Sequence, residues 1–303
     1  MGKLCKCTAG GNNLGKSPCD PILQSVAKML FKERLDSGGA VAEVDFSPEI
    51  NEAFWNALIK ATPMRNRYLL ADGVDEWTWE QQEAENVESA NNVQYKVRDG
   101  HTEVSFAIYE STFKQYDSFK SLECLKLGVL MVDEAGQVAG LGRDEEKMRL
   151  IPIDSLRVRK MVTQNSGEVA HILITFRIPH QFNVGDIRIW VPEGDDFNPL
   201  ELLPISDVVA SDLEATATSE IVTFKLSHDS TKLGFDPFVG VGKDDITITV
   251  DGTAATISTL TETSDGVYSA ELSAAVASSE VVAITELTAN AFELKEVVSI
   301  TVA

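Results

Sequence analysis

Basic residues are scarce. The 303-residue sequence has 26 Lys and Arg against 47 Asp and Glu, a net charge of −21. Such a surface repels polyanionic nucleic acid, so stable DNA or RNA binding is disfavoured. The deficit is steep in the last 91 residues, Leu213 to Ala303, with 14 Asp/Glu against 4 Lys/Arg. Histidine and cysteine number four each. His101, His171, His180 and His228 are scattered and none belongs to an H-E-x-x-H pair, and there is no G-x-S-x-G nucleophile elbow. The catalytic inventory is empty, so neither enzymatic activity nor a cofactor is expected. Three cysteines crowded at one end do not make a secreted disulfide framework. The longest apolar run, "LGVLMV" from Leu127 to Val132, falls far short of the ~20 residues that span a bilayer. The start, "MGKLCKCTAG", lacks the apolar stretch of a secretory signal. Lys6 also stands where a myristoylation site wants Ser or Thr. A soluble chain made in the cytoplasm, without a membrane partner, is expected.

Apolar residues make up 44% of the chain, enough for two domains or one large β-rich one. Residues 1–21, rich in Gly, Lys, Cys, Asn and Pro, read as an extended arm. "GGNNLGKS", Gly10 to Ser17, spells the phosphate-binding loop G-x-x-x-x-G-K-S. That loop needs a buried strand before it and a helix after it. Here the lead-in is polar, and Pro18 and Pro21 follow within one turn, so nucleotide binding is not expected. Cys5, Cys7 and Cys19 have a C-x-C spacing rather than paired knuckles, with Cys124 distant. A zinc site there is the minor alternative to thiols that pack or lie free.

"SVAKMLFKERL", Ser25 to Leu35, fits strand better than helix because "DSGGAV" ends it as a turn. A helix is predicted from Ser47, as N-cap, with Pro48 in the first position. Its stripe is Ile50, Ala53, Phe54, Ala57 and Leu58, and Thr62-Pro63 stops it. Asp99-Gly100 between "VQYKV" and "TEVSFAIYE" signals a hairpin. "LKLGVLMV-DEAG-QVAGL" and "LRVRKMV-TQNSGE-VAHILITFRI" repeat that plan, "DIRIWV" adds a strand, and a second helix is predicted over Phe113–Glu123. Glu193, Asp195 and Asp196 lack the ligand alternation of a calcium loop and read as a solvated acidic loop. Around Ser206–Thr218 the composition shifts to Ala, Ser, Thr and Asp. Beyond it, six short β-branched runs with Asp-Gly turns predict an immunoglobulin-like sandwich over 213–303. The predicted organisation is an arm (1–21), a mainly β domain with one or two helices (22–212), and that sandwich.

The arm ending in "LGKSPCDPI", then "SVAKMLFKERLDSGGA", then "EINEAFWNALI", and later "HTEVSFAIYESTFKQYDSFKSLECLKLGVLMVDEAGQVAGL", resemble proteins of phages and prophages of Bacteroidetes. These look like tail tube subunits of long-tailed phages, and the resemblance covers about residues 5–210. It implies a β-sandwich or half-barrel flanked by a helix. Six copies would close into a ring whose inner strands form one barrel, and rings would stack with open-ended contacts. The implied partners are further copies and other tail proteins (terminator, tape measure and possibly sheath), in a virion. DNA would pass through without stable binding, along a wall expected to be acidic. Lumen-hairpin candidates are Lys96, Arg98 and Glu103, with Glu103 offsetting the two cations. Asp72–Asn92 is expected to be a loop docking on the adjacent ring, with Trp77 and Trp79 as subunit contacts. An alternative is a surface-binding protein that uses its immunoglobulin-like domain for adhesion. That would need an exposed aromatic patch among Phe224, Phe235, Phe238, Tyr268 and Phe292.

Overall fold

A computed structural model describes residues 23–303 apart from 62, 83–84, 89–93, 99, 143–145, 166, 180–185, 194–195, 231–233 and 288–291. In chain order the first elements are β1 (Val26–Glu33), β2 (Glu43–Asp45), α1 (Glu52–Ile59), β3 (Leu69–Ala71), β4 (Val74–Gln81), β5 (Glu85–Glu88) and β6 (Gln94–Arg98). Next come β7 (Thr102–Tyr109), α2 (Phe113–Leu122), β8 (Leu127–Asp133), β9 (Val138–Gly142), β10 (Lys147–Arg149) and β11 (Ile151–Pro152). The first unit ends with β12 (Ser155–Val162), β13 (His171–Ile178) and β14 (Ile187–Trp190). The chain divides between Pro204 and Ile205. Strands dominate, and among the described residues no helix is long and apolar enough to cross a membrane.

The centre of the first unit is set by strands that are buried on both faces. Every residue of β8 is buried, as are six of the eight in β1, including Met29, Leu30 and Phe31. Such runs need cover on both sides. They lie in an eight-stranded sheet ordered β2-β10-β9-β8-β1-β3, with β11 on β8 and β14 on β9. One face packs on a second sheet, β12-β13-β7-β4. There Phe31, Phe106 and Phe176 form a triangle with ring centroids 6.2–6.5 Å apart. On α1, Trp55 meets Phe46 and Trp190 edge to face at 6.1 and 6.3 Å. Lys32 is buried beside Tyr68, its ammonium 4.7 Å from the ring centre, and burial lowers its pKa.

The strand over Val26–Glu33, the β8–β9 and β12–β13 hairpins, β14 and α2 all occur as predicted. α2 starts with a reciprocal box between Thr112 and Gln115. In the β8–β9 turn, the fully buried Asp133 carboxylate accepts from the N–H groups of Gln24, Ala135 and Gln137 at 2.8–3.0 Å. Asp133→Ala leaves those donors without an acceptor and should cost about 1–3 kcal/mol by chemical denaturation. A loss under about 0.5 kcal/mol, the size expected of an indifferent site, would contradict that role.

Three local expectations need correction. α1 starts at Glu52, capped by Asn51, whose side chain accepts from Phe54 N–H at 2.9 Å. Ser47 is engaged elsewhere, with both its N–H and hydroxyl on Asp45. The helix buries Trp55 and Ile59, while Ala53 and Ala57 of the expected stripe are exposed. Asp99-Gly100 does not close a hairpin, because β6 pairs with β5 while β7 pairs with β4. The Asp72–Asn92 segment is accordingly no loop. It holds β4 and β5, one side of a two-stage antiparallel ribbon whose other side is β6 and β7.

The second unit contains β15 (Ser206–Ala215), β16 (Ile221–His228), β17 (Ile246–Val250), β18 (Thr253–Ala254) and β19 (Ile257–Ser264). It continues with β20 (Val267–Leu272), β21 (Val281–Leu287), β22 (Phe292–Leu294) and β23 (Val298–Thr301). The segment expected to be a compositional shift, Ser206–Thr218, is mostly β15, which pairs with β16 and in parallel with β22. The unit therefore begins eight residues before Leu213. The orders β19-β20-β16-β15 and β18-β17-β21-β23 match the D-E-B-A and C′-C-F-G sheets of an immunoglobulin-like sandwich, enclosing one core.

Candidate functional site

The sheet β12-β13-β7-β4 has two unlike faces. Its inward row is Val104, Phe106 and Ile108 on β7 against Ile172, Ile174 and Phe176 on β13, all buried. Strict alternation then sends Glu103, Ser105 and Tyr109 outward, opposite Arg177, Thr175 and His171. Register extends these rows across four strands. One reads Ser155, Arg177, Glu103, Glu80, and the next reads Arg157, Thr175, Ser105, Thr78.

Glu103 is the electrostatic centre of this face. Its carboxylate accepts from Arg159 Nη2 at 3.1 Å and Arg177 Nε at 3.3 Å, with His101 Nε2 3.8 Å away. Ser105 and Thr78 share a 2.6 Å hydroxyl bond. Tyr109 donates to Glu76 at 2.6 Å, which raises the tyrosine pKa. Glu76 has φ 50°, in the left-handed region, at the irregularity between Asp75 and Thr78. The strand-borne charges of the face are Arg157, Arg159, Lys160 and Arg177 against Asp75, Glu76, Glu80 and Glu103, an even balance.

The signs are segregated. All three of β12's cations, Arg157, Arg159 and Lys160, are exposed on one terminal strand, and Asp75, Glu76 and Glu80 are exposed on the other, β4. Neither β12 nor β4 has a second strand partner among the described residues. The four strands alternate in direction, so β4 and β12 run opposite ways.

Of the predicted site residues that the structure describes, Glu103 alone sits on this face. Lys96 and Arg98 belong to β6, in the ribbon beyond it; their side chains lie outside the described residues. Glu103 therefore offsets Arg159 and Arg177, which the sequence reading did not single out. Trp77 and Trp79 are half-buried, 6.1 Å apart, and pack against the first core from β4. Comparison with protein-family models, curated proteins and solved structures finds no match to this chain.

The arm 1–21, with its "GGNNLGKS" motif, Cys5, Cys7 and Cys19, lies outside the described residues, as does Asp195. Cys124 is an exposed free thiol, and among the described residues no group of three His, Cys, Asp or Glu could hold a metal. In the second unit, Phe224, Phe238 and Tyr268 are core residues and Phe292 packs on them, leaving Phe235 exposed. One exposed ring does not make an aromatic binding platform.

Proposed function

We propose that the chain is a structural subunit that self-assembles into stacked six-membered rings, forming the tail tube of a long-tailed phage. The supporting observation is the four-stranded sheet with one apolar face, one polar face and oppositely charged terminal strands. A β4 strand from one copy meets β12 of the next antiparallel, continuing the alternation of strand directions, with a register irregularity in each of the two strands. Pairing β4 with β4, or β12 with β12, would instead set like charges against each other. The charge pattern therefore favours head-to-tail contacts, which close into a ring and leave neither edge of this four-stranded sheet open.

The size is workable. Six such sheets give about 24 strands, which at ~4.8 Å spacing and ~40° tilt enclose a backbone diameter of roughly 48 Å. Side chains narrow this by about 10 Å, the thickness of one side-chain layer between packed sheets, and a DNA duplex still passes. The wall is balanced rather than acidic, a departure from the expectation. Arg159 and Arg177 are engaged by Glu103, and in the ring Arg157 and Lys160 face the acidic β4 of the next copy, so phosphate meets no unopposed cationic stripe and slides without being held. The β5–β6 end of the ribbon takes the ring-to-ring role first given to a loop, with neighbouring rings and other tail proteins as partners and the virion as location.

In this account the second unit is decoration that assembly does not need. A chain truncated after Pro204 should still form tubes of the same diameter under electron microscopy. Truncation nearer Ser211 would leave half of β15 unpaired and is the wrong place to cut. Loss of assembly by a folded, truncated chain would refute the decorative role.

A further inference from the structure

One backbone N–H of the β12 edge is held by a side chain. Val158 N–H, in the middle of β12, donates to Glu123 Oε1 at 2.7 Å. Glu123 is the C-cap of α2, and Lys120, three residues back, holds its two oxygens at 2.9 and 2.8 Å. The carboxylate pKa is depressed, first by the Lys120 hydrogen bond and then by the Val158 N–H. The contact is therefore complete above the ordinary carboxylate range and is released only as pH falls through the lowered value.

A strand joining β12 at this point needs the Val158 N–H for its own carbonyl. Glu123 and an incoming strand therefore compete for one donor. Glu123 also sets a negative charge on the cationic strand, against the approach of an acidic β4. We propose that Glu123, positioned by Lys120, is a latch on the assembly edge, covering the Val158 N–H in the free subunit and yielding it to β4 of a second copy. The proposal rests on the ring-forming function above. An uncovered edge pairs indiscriminately, and covering it is a common way to prevent that. A single partly exposed side chain is light cover, which an aligned partner displaces and a misaligned one does not. Lys120 keeps its carboxylate partner in either position, so opening leaves no charge stranded.

The test compares the wild-type chain with Glu123→Ala and Glu123→Gln by two readouts. In free subunits, amide hydrogen exchange at Val158 should speed up in Glu123→Ala, with a melting temperature lower by no more than about 5 °C, because the same hydrogen bond is lost from the free subunit. The critical concentration for assembly, by sedimentation, should fall about three- to tenfold, the worth of one hydrogen bond. Glu123→Gln keeps an acceptor but loses the charge, and should fall between the two. An assembling wild type with an unmoved or raised critical concentration in folded Glu123→Ala overturns the latch alone. Wild type and variant remaining monomeric at every concentration overturns the ring-forming function, and the latch with it.

Discussion

Arg157→Glu with Lys160→Glu should yield a folded subunit that no longer assembles. Both residues are exposed on β12, and the charged neighbour of Arg157 within the subunit is the partly exposed Glu123, so folding should change by no more than about 1 kcal/mol. At the joint between copies, two attractions to the acidic β4 become repulsions. Cross-strand charge pairs are worth roughly 0.2–1 kcal/mol each, so turning two attractions into repulsions costs about 0.8–4 kcal/mol per joint, roughly 4- to 700-fold in its equilibrium constant. Every subunit makes two such joints, and closure of the ring compounds the loss. Adding Asp75→Lys and Glu80→Lys to the same chain restores opposite signs and should restore assembly. That rescue separates charge complementarity from general damage. Assembly of the β12 variant at wild-type concentration, or failure of the combined variant while folded, would argue against β4–β12 pairing.

Phe31→Ala should be the most damaging single core substitution considered, at about 3–5 kcal/mol. Phe31 is fully buried on β1 and touches Phe106 and Phe176 of the facing sheet, so truncation opens a cavity at the contact between layers. β1 and β8 are packed on both faces, which limits relaxation into that space. The melting transition of residues 23–204 should fall by roughly 10 °C. The sandwich of 205–303 has a core that shares no residue with the first. An isolated 205–303 chain should therefore melt where the corresponding transition of Phe31→Ala does. A loss below about 1 kcal/mol would mean that the layers do not depend on this aromatic triangle.

Much of the fold was legible because its signals are local. The run of apolar residues in β8 marks a strand covered on both sides, and the alternation in β7, β12 and β13 marks a sheet with one wet face. Thr112 and Gln115 announce α2 by themselves. Misreadings arose where two local signals competed or a distant partner decided. Ser47 and Asn51 are both good caps, and Asp45 settles the matter by engaging Ser47. Asp99-Gly100 is a strong turn signal overridden by pairing with β4 and β5, which places the chain reversal between β5 and β6. β15 lacks the density of β-branched residues that marked its neighbours, and its partner β22 lies near the other end of the unit.

The candidate site was legible only in part. Glu103 stood out as an acid near cations, but the cations that reach it come from β12 and β13, 56 and 74 residues away. The opposite charges of β4 and β12 can be read in the sequence. That these are the two ends of one sheet depends on strand order, which no local pattern encodes. Likewise, nothing near Glu123 points to Val158, 35 residues on.

Negative-stain electron microscopy of the purified full-length chain, across a concentration series, tests self-assembly most directly. Stacked rings with six-fold symmetry, or tubes built from them, are the predicted result. Dispersed monomers at every concentration would contradict it.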